Sequence, residues 1–143
     1  MEIRKIEERD LPQLAALYEE LGARRNDPAK MKEEFFRLQS HEECVLLGGV
    51  VDGQLLGSIY GIFCRDLFGD CRPFLVLENM IVTASARRQG VARHLLTAME
   101  EEARRRGCYY MMLLSRADRL GAHALYKACG YEDGVKGFKK YLA

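Results

Sequence analysis

The segment that most constrains this chain is Arg87-Arg88-Gln89-Gly90-Val91-Ala92. It lies between an apolar run, Phe74 to Val82, and an amphipathic stretch that ends near Arg106. A strand, a tight basic turn holding a glycine and then a helix make a cradle for an anion. Gly90 lets the backbone approach a ligand closely. The first turn of the helix offers N–H groups without intrahelical acceptors, at the positive end of the helix dipole. A phosphate or pyrophosphate suits such a site, with the amides of Gln89 to Arg93 donating and Arg87, Arg88 or Arg93 adding charge. Positive side chains at a helix start oppose the dipole, and a bound anion removes that conflict. Neither G-x-x-x-x-G-K-[ST] nor G-x-G-x-x-G occurs in the sequence, so the two common nucleotide loops are excluded.

A chain of 143 residues reads as a single domain, 1–143. That length buries about two thirds of the unfolded surface without staples. The net charge is +1, which argues against a nucleic-acid partner. Arg104, Arg105 and Arg106 each follow an acid by four residues, Glu100, Glu101 and Glu102. They read as a self-neutralised helix end near the negative pole of the dipole. Cys44, Cys64, Cys71, Cys108 and Cys129 form no C-x-x-C pair, which predicts reduced thiols in a cytoplasmic protein. His41, His94 and His123 have no metal-ligand spacing, so no metal is expected. No apolar run reaches membrane-spanning length and no apolar signal core follows Met1, so no membrane partner is expected.

The pattern along the chain predicts a strand over Ile3 to Ile6, then a helix capped by Asp10 with Gln13 closing a capping box. Leu11, Leu14, Ala15 and Tyr18 form the apolar stripe of that helix. A second helix starts at Asp27-Pro28, with Met31, Phe35 and Leu38 facing inward. Cys44 to Val51 and Gln54 to Cys64 form a hairpin around Asp52-Gly53. Phe74 to Val82 reads as a central strand covered on both faces. Ala92, Leu95, Leu96, Met99 and Ala103 line the helix after the loop, and Gly107 ends it. Tyr109 to Leu114 reads as a buried strand, and Leu120 to Cys129 as a helix stopped by Gly130 with Tyr131 packing back. Phe138 to Leu142 reads as a last strand. The order β-α-α-β-β-β-α-β-α-β describes an α/β domain with a mixed sheet and leaves its topology open.

The string R-x-x-G-x-A, read as Arg87, Gly90 and Ala92, resembles the coenzyme A pyrophosphate loop of the GCN5-related N-acetyltransferase (GNAT) superfamily. The element order matches that fold over essentially the whole chain. Ala122-His123-Ala124-Leu125-Tyr126-Lys127-Ala128-Cys129-Gly130-Tyr131 resembles the superfamily segment A-x-x-L-Y-x-x-x-G-F/Y, in the expected place after a strand. Ala122-His123 with Tyr126 is similar to a pattern in small bacterial acetyltransferases that include the aminoalkylphosphonate N-acetyltransferases. Arg119 stands where the superfamily often has asparagine, which puts that asparagine's usual contact in doubt.

The resemblance implies an acyl-CoA N-acyltransferase fold, a mixed central sheet flanked by helices on both faces. It implies acetyl-CoA as cosubstrate and direct acetyl transfer to a primary amine, with a small-molecule acceptor and a possible homodimer. Splayed backbone at Met80, Ile81 and Val82 would bind the pantetheine amides, and Arg87, Arg88, Gln89, Gly90, Val91, Ala92 and Arg93 the pyrophosphate. Glu78 interrupts an apolar strand. A buried carboxylate there needs a partner or a raised pKa, so it is either a general base or a paired structural acid. Tyr126 would protonate the departing thiolate, its phenol pKa near ~10 being close to that of a thiol. His123 lies three residues before Tyr126 on one helix face and is either a substrate contact or structural. Glu33, Glu34, Phe35 and Tyr60 fall where the superfamily lines its acceptor cleft. A coenzyme-A-binding regulatory domain without turnover is the alternative.

Overall fold

The computed structural model describes residues 1–22 and 24–143. In chain order the elements are β1 (Glu2–Lys5), α1 (Leu11–Gly22), α2 (Pro28–Gln39), β2 (Cys44–Val51), β3 (Gln54–Cys64), β4 (Phe74–Val82), α3 (Val91–Arg105), β5 (Met111–Leu113) and α4 (Leu120–Ala128). The five strands lie side by side in the order β1-β2-β3-β4-β5. The first three pairings are antiparallel, and β4–β5 is parallel. Asp52 and Gly53, at φ 48° and 77°, make the tight hairpin between β2 and β3. Among the described residues, no helix is long and apolar enough to cross a membrane.

Alternation along the strands sorts side chains to two cores. On one face Ile59, Leu75 and Leu77 meet the stripe of α3, in which Val91, Leu95, Leu96, Met99 and Ala103 are all buried at helical spacing. On the other face Val50, Leu55 and Ile81 meet Leu14 and Leu17 of α1 and Phe35 of α2. Each fully buried leucine contributes about 1.5–3 kcal/mol, so α3 is held mainly by its packed face. Asp27 caps α2 as its sequence implies, its Oδ1 accepting from the amides of Ala29 and Lys30 at 3.0 and 3.2 Å.

Four sequence expectations fail for identifiable reasons. Asp10 does not cap α1. It closes a short 3-10 turn, Glu8–Asp10, and its buried carboxylate accepts from the Glu7 amide at 2.8 Å and from both terminal nitrogens of Arg4 at 2.7 and 3.0 Å. Gln13, freed from that box, bridges to the β2–β3 hairpin. It donates to the Gly53 carbonyl and accepts from the Leu55 amide. Glu101 does not pair with Arg105. Arg105 pairs with Glu102 instead, which also holds Arg106 at 2.7 Å, while Glu100 holds Arg104 as expected.

The strand expected over Tyr109 to Leu114 shrinks to Met111–Leu113, because β5 is an edge strand with one neighbour. Tyr109, Tyr110, Met112 and Leu114 are exposed rather than buried. Phe138 to Leu142 forms no strand, and Val135, Phe138, Tyr141 and Leu142 are exposed. Extended, Phe-Lys-Lys-Tyr-Leu would put lysines on both faces of the ribbon, so no single apolar face drives pairing.

The Arg4–Asp10 pair yields a stability prediction. Hydrogen bonds from Arg4 hold the Asp10 carboxyl below its ordinary value, with burial pulling the other way. A lowered folded-state pKa gives stability that is fully present above the unfolded value near ~3.9 and is lost as pH falls through the folded one. Asp10→Asn leaves Arg4 uncompensated and is expected to cost about 3 kcal/mol in urea denaturation at pH 7. The loss should shrink at pH values below the unfolded carboxyl pKa; a variant as stable as the parent at pH 7 contradicts the assignment.

Candidate functional site

The site begins with a fault in β4. Ser58 on β3 pairs with Ile81 and Tyr60 with Glu78, so Ile59 alone faces both Asn79 and Met80. The extra residue is a β-bulge, with Asn79 in the left-handed region at φ 50°. The β4–β5 ladder runs only from Leu75↔Met111 to Leu77↔Leu113. Beyond it the two parallel strands part, leaving Glu78 to Val82 with no strand on the β5 side. The β4–β5 pairing ends at Leu77, so Met80, Ile81 and Val82, where a splay is expected, have no strand on that side, and the bulge at Asn79 directly precedes them.

The same chain then turns into the basic loop. Arg88 and Gly90 both adopt left-handed backbone, at φ 62° and 84°, and Gly90 caps α3. Left-handed geometry costs a non-glycine residue roughly 1 kcal/mol, so Arg88 is held there by its surroundings. Among the described residues, the amides of Gln89, Gly90, Val91, Ala92 and Arg93 find no backbone or side-chain acceptor; the first α3 bond is His94 N–H to Gly90 O at 3.1 Å. Consecutive unpaired amides at the N-terminus of a 15-residue helix form a cradle for an anion.

Several contacts fix this loop. Arg87 donates Nε–H to the Val82 carbonyl at 3.2 Å, locking the turn to the end of β4. Glu20 of α1 accepts from the Thr83 hydroxyl at 2.8 Å and the Ala84 amide at 3.1 Å. Gly57 sets the depth. A Cβ there would lie 2.8 Å from the Ile81 carbonyl oxygen and 3.1 Å from Val82 Cγ2 and Val91 Cγ1. Only glycine lets the start of α3 settle onto β3 and β4. The side chains of Arg87, Arg88, Gln89 and Arg93 are exposed, and Val91 is buried in the core.

Glu78 is exposed rather than buried, and it makes no ion pair or side-chain hydrogen bond among the described residues. The reading of a buried acid needing a partner is therefore corrected. The pleat explains the exposure: Leu46, Tyr60 and Glu78 are cross-strand partners on the α1–α2 face, beyond the cover of those helices. This face opens into a cleft of about 540 Å³ lined by Tyr18, Met31, Glu34, Phe35, Tyr60 and Asn79 among others. Glu33 is not part of it and pairs with Arg37 at 2.7 Å. Burial raises the Tyr18 hydroxyl to about 12. Burial also raises Tyr60, whose hydroxyl donates to Cys44 Sγ at 3.3 Å.

Tyr126 lies on α4, the helix that follows β5, packed against the α3-side core with its ring edge-on to Tyr131 at 5.9 Å. Burial raises its pKa and nearby Arg119 pulls it down, so the hydroxyl stays protonated at neutral pH. It makes no hydrogen bond among the described residues. His123 does not point at an open site alone: its Nε2 meets Ser115 Oγ at 3.1 Å. His94 bonds the Gly90 carbonyl through Nδ1 at 2.7 Å, and exposed His41 lies 3.3 Å from Glu43.

A parted pair of strands, continuous with a cradle of free amides and opening on a side cleft, defines the class of N-acetyltransferase folds. The model of the Acetyltransferase (GNAT) family matches residues 3–131, and the chain belongs to that family. It is 31% identical over 98 residues to an aminoglycoside N(6')-acetyltransferase type 1 of Stenotrophomonas maltophilia. That match covers 67% of this chain and 64% of the relative. A putative acetyltransferase from Agrobacterium tumefaciens superposes with a TM-score of 0.92 at 22% identity, over 99% of both chains. AAC(6')-Iy, solved with the bisubstrate analogue CoA-S-monomethyl-acetylneamine, superposes at 0.83 and 20% identity over 99% of this chain and 97% of that one.

The bulge carries a test. Asn79→Ala, which keeps the left-handed backbone without a side chain suited to it, should lose about 1 kcal/mol in chemical denaturation. Asn79→Gly should lose less than Asn79→Ala. The opposite ranking would contradict a left-handed residue 79.

Proposed function

We propose that this protein is an acetyl-CoA-dependent N-acetyltransferase that moves the acetyl group directly to a primary amine with both substrates bound. The observation that carries this reading is the continuity of the β4 edge that has no strand on the β5 side, Glu78 to Val82, with the free amides of Gln89 to Arg93. An elongated ligand with amides along its arm and a diphosphate at its end meets matching groups in that order. The residues fit coenzyme A: Met80, Ile81 and Val82 would take the pantetheine amides as an added strand, and Gly90 to Arg93 the pyrophosphate, with Arg88 and Arg93 adding charge. Arg87 acts chiefly by holding the loop to Val82. A cleft of about 540 Å³ suits a small-molecule acceptor.

Acetyl-CoA supplies an activated thioester. The chain holds the amine near it, which is the largest contribution. Glu78, exposed and without an ion pair, takes the proton from the incoming ammonium, directly or through water. Tyr126 Oη delivers a proton toward the departing sulfur. A backbone N–H of the Met80–Val82 stretch polarises the reacting carbonyl. Each proton transfer contributes roughly 10²–10⁴-fold. No cysteine is needed as a nucleophile.

Purified protein with acetyl-CoA and a panel of primary amines should release free thiol; no release with any amine overturns the reading. Tyr126→Phe should lower kcat about 10²-fold with little change in coenzyme A affinity. Unchanged kcat removes Tyr126 from the mechanism. The raised pKa of Tyr126 places the alkaline limb of kcat above pH ~10. Glu78→Gln should move the acid limb of the pH–rate profile, and an unmoved limb assigns the base elsewhere.

A further inference from the structure

The side cleft sorts its lining by charge and exposure. The charged residues that line it, Arg24, Arg25, Asp27, Lys30 and Glu34, are all exposed and carry both signs. Solvent and salt screen such a mixed rim, so it sets little preference for a charged ligand. Among the described residues, the buried and half-buried part of the lining is uncharged without exception. Met31, Phe35, Leu38 and Leu46 give it apolar surface, together with the rings of Tyr18 and Tyr60.

The two phenols add no charge. Burial raises the Tyr18 hydroxyl to about 12, so it is neutral at physiological pH. Burial raises Tyr60 as well, and its hydroxyl is already committed as a donor to Cys44 Sγ at 3.3 Å. The walls come from α1, α2, their connection, β2 and β3, and β4 contributes Asn79 alone. Asn79 lies past the end of the β5 ladder and next to Met80. The cleft therefore meets the proposed path of the thioester arm at one end, and the interior away from that end is apolar.

We infer that the acceptor is a primary amine carried on an uncharged, apolar body, which fills the cleft among Met31, Phe35, Leu38 and Leu46 while the amine lies at Asn79. The inference rests on the acetyltransferase reading and narrows its substrate. A second ammonium, a carboxylate or a phosphonate on the body would enter that interior without a partner, and an unpaired charge taken out of water is costly. An aminoglycoside brings several ammonium groups. This chain thus departs in acceptor chemistry from the aminoglycoside N(6')-acetyltransferase it is similar to. A cleft of about 540 Å³ is in the range that takes a whole small molecule.

The test compares kcat/KM for linear primary amines from propylamine to hexylamine, for phenylethylamine, and for a diamine, an aminoalkyl carboxylate and an aminoalkyl phosphonate of matched length, with an aminoglycoside alongside. Each added methylene should raise kcat/KM about 4-fold, the worth of burying one such group. A terminal charge should lower it about 10-fold or more against the uncharged amine of the same length. A flat series overturns the inference, as does a charged amine that exceeds its uncharged counterpart or an aminoglycoside that exceeds hexylamine. Met31→Glu sets a carboxylate in the lining and should flatten the series, whereas Met31→Leu should keep it. If Met31→Glu does not fold, the neutral Met31→Gln serves, with a smaller gain per methylene expected. An unchanged gain in the folded polar variant overturns the inference.

Binding is read apart from turnover, by saturation-transfer NMR of hexylamine and phenylethylamine with the parent and the polar Met31 variant. If no amine is acetylated, the enzymatic reading fails by itself. Transfer from the parent that weakens in the variant then still supports an apolar amine cleft, and absence of transfer to both amines overturns it.

Discussion

The architecture of the site depends on one loss of pairing in β4. Every backbone amide and carbonyl in a sheet interior needs a partner, and parallel strands normally supply it along their length. Here one extra residue at Asn79 redirects β4, and the ladder to β5 stops at Leu77↔Leu113. Beyond that point β4 has no strand on the β5 side; Arg87 takes the Val82 carbonyl, and the proposed ligand would meet the remaining groups. The strand interruption and the proposed recognition edge are the same feature.

Holding a sheet open has a structural cost, which the fold meets locally. Asn79 and Arg88 adopt left-handed backbone that side chains disfavour. Against this, Gly57 lets Val91 close onto the sheet, Arg87 ties the loop to Val82, and Glu20 ties the β4–α3 connection to α1. The buried stripe of α3 supplies the rigid platform. The proposed ligand-binding groups thus sit at the junction of packed elements rather than on a free loop, and such preorganisation limits the entropy lost on binding. Glu20 also joins α1, a wall of the side cleft, to the loop.

The sequence made some of this legible. Gly90 between an apolar run and an amphipathic helix has one economical explanation, and the structure gives it left-handed φ at the cap of α3. Asp27-Pro28 and Asp52-Gly53 were equally readable, because cap and turn chemistry is local. The rest depended on distant partners. Asp10 resembles a helix cap in sequence, and only the fold brings Arg4 onto its carboxylate. Glu78 looks buried inside an apolar string until the bulge and the limits of α1 and α2 expose it. Asn79 reads as a polar interruption, since a bulge exists only relative to a neighbouring strand. Gly57 lacked any local signal, and its role comes from the packing of Val91 and Ile81. Arg24 and Arg25 of the side cleft lie in a connection whose shape no periodicity encodes.

The central claim is that the β4 edge and the start of α3 form one continuous binding surface for a thioester carrier with a diphosphate. Amide hydrogen exchange on the whole protein, with and without saturating coenzyme A, tests it most directly. The account predicts rapid exchange at Gln89 to Arg93 in the free protein, and slowed exchange there and within Glu78 to Val82 when the carrier is bound. Unchanged exchange across both segments under saturating carrier would contradict it.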